Sequence, residues 1–92
     1  MIKSFEHKGL KVFFETGRKS GIQPDHADKL KRLLSRLDIA KTAQDVNLPG
    51  WRLHLLNGDL AGYYSIGVNG NWRVIFKFEG DDVILVNYLD YH

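Results

Sequence analysis

The 92-residue chain contains no cysteine. That excludes disulfides, thiolate metal sites and cysteine nucleophiles together, and suits a reducing compartment. Prolines number two, and no proline-rich linker, repeat or low-complexity stretch is visible. No apolar run nears the roughly 18 residues of a membrane span, and Met1-Ile2-Lys3-Ser4-Phe5-Glu6-His7 lacks the apolar centre of a signal peptide. A soluble, cytoplasmic protein without membrane association is expected. A strand-to-helix phosphate loop is also missing, because Gly67, Gly70 and Gly80 fall at or near expected hairpin turns. His7, His26, His54 and His92 show no metal-ligand spacing, and Ser4, Ser20, Ser35 and Ser65 lack a nucleophile-elbow context. Neither a metal nor a cofactor is expected.

What the chain does have is apolar and aromatic bulk: 43% hydrophobic residues, with five Phe, four Tyr and two Trp. That suffices for one core, so residues 1–92 read as a single domain. Charge is divided unevenly. Residues 1–41 hold ten Lys/Arg against five acids, whereas residues 42–92 hold three against six. The basic half is either a solvated helix face or a surface for a polyanion.

Apolar periodicity divides the chain into elements. Ile2 to Phe5 alternates as a short strand. Leu10, Phe13 and Phe14 mark a helical face between His7 and about Thr16, with Gly17 suited to a left-handed C-cap. Pro24 and Asp25 fit the start of a second helix, whose stripe of Ala27, Leu30, Leu33, Leu34 and Leu37 runs to about Ala40. Thr42 to Gly50 reads as a loop. The period then changes to two, predicting strands over Trp51–Leu55, Gly62–Val68, Asn71–Phe78 and Val83 to about Tyr88 or Leu89. Asn69-Gly70 matches a type I′ hairpin turn. The expectation is an α+β domain: an N-terminal strand and two helices packed on an antiparallel meander of about four further strands.

Three polar placements bear on chemistry. His54 sits in a strand that otherwise presents Trp51, Leu53 and Leu55, where it is either a hydrogen-bonded structural histidine or a proton-transfer group. Arg73 alternates away from the apolar side of a central strand, with Lys77 on the same side; it is either a surface cation or part of a polar site. The last strand runs into Asp90-Tyr91-His92 instead of a polar tail, and strand alternation would put Asp90 and His92 on one face and Tyr91 on the other. These residue types suit cleavage of RNA by its own 2′-hydroxyl. Two histidines can move the protons, and an arginine fork can hold the phosphate oxygens. Asp90 could orient an imidazole, and Tyr91 could stack on a base.

The stretch Trp51-Arg52-Leu53-His54-Leu55-Leu56-Asn57-Gly58-Asp59, followed by Asn71-Trp72-Arg73 and Asp90-Tyr91-His92, closely resembles the HigB toxins of the RelE/ParE superfamily. Met1-Ile2-Lys3-Ser4-Phe5 and His7-Lys8-Gly9-Leu10 fit the same family, and residues 17–50 are least distinctive. The resemblance implies a RelE-like microbial RNase fold and an endoribonuclease that cuts mRNA in the ribosomal A site. It implies catalytic roles for His54, Arg73, Asp90, Tyr91 and His92. It further implies RNA contacts from Lys8, Lys11, Arg18, Lys19 and Lys77. The implied partners are the 70S ribosome with bound mRNA and a HigA-like helix-turn-helix antitoxin, their complex binding operator DNA. Asn57 stands where some relatives carry lysine, so Arg73 or Lys77 would carry more of the charge stabilisation. The alternative is a catalytically weak or inactive module that binds an antitoxin or rRNA.

Overall fold

Helix α1 (Lys8–Thr16) begins where a histidine acts as its cap: His7 is extended, and its Nδ1 accepts the Leu10 N–H at 2.9 Å. It ends at Gly17, whose φ of +81° lets its N–H reach the Phe13 carbonyl at 2.8 Å. The computed structural model describes residues 1–90. In it, Leu10 and Phe13 of α1 point into the core while Lys8 and Lys11 stay in solvent. The following loop crosses the start of α1 backbone to backbone. A β-carbon on Gly9 would lie 2.5 Å from the Gly21 oxygen, so only glycine fits there.

A single 3-10 turn at Pro24–His26 leads into helix α2 (Ala27–Ile39). Asp28 in its first turn and Arg36 in its last complement the helix dipole. Thirteen residues make a marginal helix in isolation. Its stability comes from the predicted stripe: Leu30, Leu33, Leu34 and Leu37 are essentially inaccessible, each burial contributing about 1.5–3 kcal/mol. The stretch expected to be a loop contains a short turn at Ala43–Val46. There the Asp45 carboxylate accepts the Lys41 and Thr42 N–H groups, and Val46 is buried.

Four strands form an antiparallel meander in sequence order: β1 (His54–Leu55), β2 (Tyr64–Asn69), β3 (Trp72–Glu79) and β4 (Asp82–Asp90). The first residues of the chain extend the sheet beyond β4, with parallel bridges from Ile2 to Val83 and from Phe5 to Val86. Val74, Phe76, Val83 and Val86 bury the helix-facing side. Two helices on this sheet realise the expected α+β architecture.

Two local expectations need correction. The strand expected over Trp51–Leu55 is confined to His54–Leu55. Trp51 turns into the core, its carbonyl takes the Gly67 N–H at 2.8 Å, and Arg52 adopts a left-handed φ of +56° that interrupts the ladder. The β2–β3 turn is Gly70-Asn71 instead of Asn69-Gly70, because Asn69 pairs with Trp72. Only Gly70 of the expected pair has positive φ, so the turn is not type I′. Val68 is the extra residue of a β-bulge that shifts the register. A second bulge in β4 places Leu85 at φ +57°. The Ser4 hydroxyl oxygen accepts the Leu85 N–H there at 2.9 Å, so the N-terminal strand holds the irregularity in place.

Candidate active site

Side chains of paired residues share a face of a sheet, and alternate residues along a strand return to it. His54 pairs with Ser65, which pairs with Ile75 and through it with Asn87. Gly67, Arg73 and Leu89 form the next row on the same face. The register therefore brings His54 and Arg73 to the side away from the helices, where alternation had predicted Arg73.

His54 is exposed, and its Nδ1 lies 3.1 Å from the Arg52 carbonyl. A carbonyl only accepts, so Nδ1 carries the hydrogen and donates it. In that tautomer Nε2 is the ring's acceptor nitrogen, on an exposed side chain. Arg73 is half-buried, and its Nη1 donates to the carbonyls of Gly70 (3.0 Å) and Trp72 (3.3 Å). The hairpin it leaves thus fixes one arm of the guanidinium. Lys77 continues along β3, but its Nζ sits 4.9 Å above the Tyr63 ring. The Tyr63 hydroxyl donates to Glu6 at 2.8 Å, and this bond to a carboxylate raises the phenol's pKa.

Asp90 lies elsewhere. It pairs with Trp72 at the end of β4, which assigns it to the alternate side, with Val74 and Tyr88. Its charge reaches the Tyr88 hydroxyl and helps raise that group's pKa, after the larger effect of burial and against a hydrogen bond from the Gln23 backbone. Tyr91 and His92 lie outside the described residues. Of the expected RNA-contacting cations, Lys8, Lys11, Arg18 and Lys19 are exposed on or just after α1, apart from Lys77 on the sheet. Lys19 borders a groove of about 440 Å³ between α1 and α2 that includes Phe13, Phe14 and Lys31. Among the described residues, no group of three or more His, Cys, Asp or Glu converges as a metal site. No described helix is long and apolar enough to cross a membrane.

Residues 3–92 match the family described as RelE-like toxin of type II toxin-antitoxin system HigB. The chain belongs to this family. It is 45% identical over 92 residues to Endoribonuclease HigB of Proteus vulgaris, covering both chains completely. It is 37% identical over 94 residues to Toxin HigB-1 of Vibrio cholerae serotype O1, covering all of this chain and 98% of that one. Its fold is similar to the YoeB-YefM complex from Staphylococcus aureus, with a TM-score of 0.63 at 18% identity, covering 100% of this chain and 98% of that chain. The HigB-like resemblance seen in the sequence is thereby established, along with the RelE-like fold.

One cluster in this HigB-like chain escaped the sequence reading. His26, buried at the entry to α2, meets Tyr88 through Nδ1, and its ring packs edge-on against Trp72 at 5.6 Å. The Trp72 and Tyr88 rings are 4.6 Å apart, and His7 adds an edge contact to Tyr88 at 5.3 Å. Alternation of Tyr88 with the buried Val86 was the available signal. Arg52 gave none, since nothing in its neighbours announces a positive φ.

Proposed function

We propose that this chain is the toxin of a type II toxin–antitoxin pair and a ribosome-dependent endoribonuclease that cuts mRNA in the ribosomal A site. The observation that carries this reading is the 45% identity, end to end, with Endoribonuclease HigB. Residues 1–92 act as one domain on this reading. The chemistry is metal-independent: the 2′-oxygen attacks the adjacent phosphorus while the bond to the 5′-oxygen breaks. One group takes the 2′-proton, another gives a proton to the leaving 5′-oxygen, and a cation holds the charge that builds on the non-bridging oxygens.

The geometry supports a division of labour. His54, exposed and held through Nδ1, suits proton transfer, and Arg73 on the same face suits the phosphate. The roles of Asp90, Tyr91 and His92 rest on the family resemblance and not on the register, which sets Asp90 on the other face: His92 as the second proton-transfer group, Asp90 as its orienting partner, and Tyr91 as a stacking surface for a base. The exposed cations Lys8, Lys11, Arg18 and Lys19, with Lys77, contact RNA phosphates and supply salt-sensitive affinity for the 70S ribosome with its message. A HigA-like helix-turn-helix antitoxin neutralises the toxin, and the complex binds operator DNA. The working compartment is the cytoplasm.

End chemistry tests the reaction. Purified protein added to translating ribosomes should leave new mRNA fragments ending in a 2′,3′-cyclic phosphate or its 3′-phosphate product. Fragments ending in a 3′-hydroxyl would rule out attack by the 2′-oxygen. Intact message would remove the enzymatic reading.

A further inference from the structure

We propose that Arg52 is a second phosphate-facing cation of the candidate active site, working beside Arg73 at the scissile phosphate. The proposal rests on the endoribonuclease reading above. Three observations converge on it.

Arg52 holds a left-handed φ of +56°. For a residue with a β-carbon this conformation is costly and persists where its surroundings fix it; such outliers gather at functional sites. Here contacts on both sides fix it. Trp51 is anchored in the core with its carbonyl on the Gly67 N–H, and the Arg52 carbonyl itself accepts from His54 Nδ1. The kink that orients the His54 ring also directs the Arg52 side chain.

That direction is across Gly67. A β-carbon there would lie 3.6 Å from Arg73 Nη1 and 4.0 Å from Arg52 Cδ. Gly67 does not have a positive φ, so its backbone does not demand glycine. What the missing side chain provides is room for both arginines, whose Cδ (Arg52) and Nη1 (Arg73) pack beside the buried Gly67 on the face that carries His54.

Charge supplies the third observation. Among the described residues, no carboxylate forms an ion pair with Arg52 or Arg73. Two permanent cations whose side chains meet beside Gly67 repel each other, and an anion held between them relieves that repulsion. A dianionic phosphorane, with extra charge on two non-bridging oxygens, is the species that gains most. Arg52 transfers no proton, because its guanidinium stays charged throughout. It holds charge while the bond from the 2′-oxygen to phosphorus forms and the bond to the 5′-oxygen breaks.

Arg52→Gly and Arg52→Lys in the full chain test this. Glycine accepts the left-handed backbone, so Arg52→Gly removes the cation without stressing the fold, and its thermal midpoint should be no lower than the parent's. Single-turnover cleavage of message would be followed over a range of ribosome concentrations. Arg52→Gly should lower the saturating rate at least about tenfold, with a nearly unchanged half-saturating ribosome concentration, and Arg52→Lys should recover much of the rate. A parental saturating rate in Arg52→Gly, or a loss confined to half-saturation, would overturn the proposal. If the parent makes no cut, the endoribonuclease reading itself fails, and the proposal falls with it.

Discussion

The Nδ1 of His26 and the hydroxyl of Tyr88 lie 2.5 Å apart, although 62 residues separate them. A single hydrogen is shared between the phenol and the ring nitrogen. This pair ties the entry of α2 to the strand that carries Asp90. Tyr88→Phe should leave a buried imidazole nitrogen unsatisfied, at a cost of about 1–3 kcal/mol. Urea unfolding should show a lower midpoint with an unchanged slope; an unchanged midpoint would mean that the bond contributes nothing.

The same cluster shows how far the sequence could be read. The stripe of α2 and the alternation of β3 were legible because burial imposes a strict period on each. The break at Arg52 was not, because it depends on Trp51 finding a place in the core and a partner in Gly67. Both bulges were hidden for a similar reason: an extra residue in a strand is stabilised by its neighbours, as Leu85 is by Ser4. Arg73, on a regular strand position, was legible as lying off the apolar face, whereas the face of His54, just past the break at Arg52, was not. What holds them there, the Arg52 carbonyl and the hairpin carbonyls of Gly70 and Trp72, came only from the fold.

His7 should make stability depend on pH. Burial holds its pKa below the ordinary 6.5, only partly opposed by a hydrogen bond to its own backbone. The unfolded chain therefore takes up a proton near 6.5 while the folded chain resists until lower pH. The contribution is full above that value and is lost as pH falls through the depressed folded pKa. Protonation also turns Nδ1 from an acceptor for Leu10 N–H into a donor, removing the cap. Between about pH 7.5 and 5.5 the thermal midpoint of the parent should fall further than that of His7→Asn, which caps without titrating. Parallel curves would exclude His7 as the source.

Arg73→Lys keeps the charge but loses the fork that engages the hairpin and fits phosphate oxygens. The cleavage rate at saturating ribosomes should fall about a hundredfold, with stability changed by about 1 kcal/mol or less. A lysine variant as fast as the parent would show that point charge alone suffices.

The exposed cations around α1 should act through ionic strength. Replacing Lys11, Arg18 and Lys19 together with glutamine should weaken ribosome binding and flatten its dependence on salt, by roughly one unit of logarithmic slope for each phosphate no longer neutralised. Binding measured at several salt concentrations checks this. An unchanged slope would return these residues to the status of a solvated helix face.

The most direct measurement maps mRNA ends on translating ribosomes treated with the parent protein or with His54→Gln. His54 is exposed and its ring bonds only the Arg52 carbonyl among the described residues, so the variant should fold like the parent, with circular dichroism and thermal midpoint as controls. The parent should produce discrete new ends at ribosome-occupied positions, and the folded variant should lose them by about a hundredfold or more. A folded His54→Gln protein that cuts at the parental rate would contradict the assignment of proton transfer to this face of the sheet.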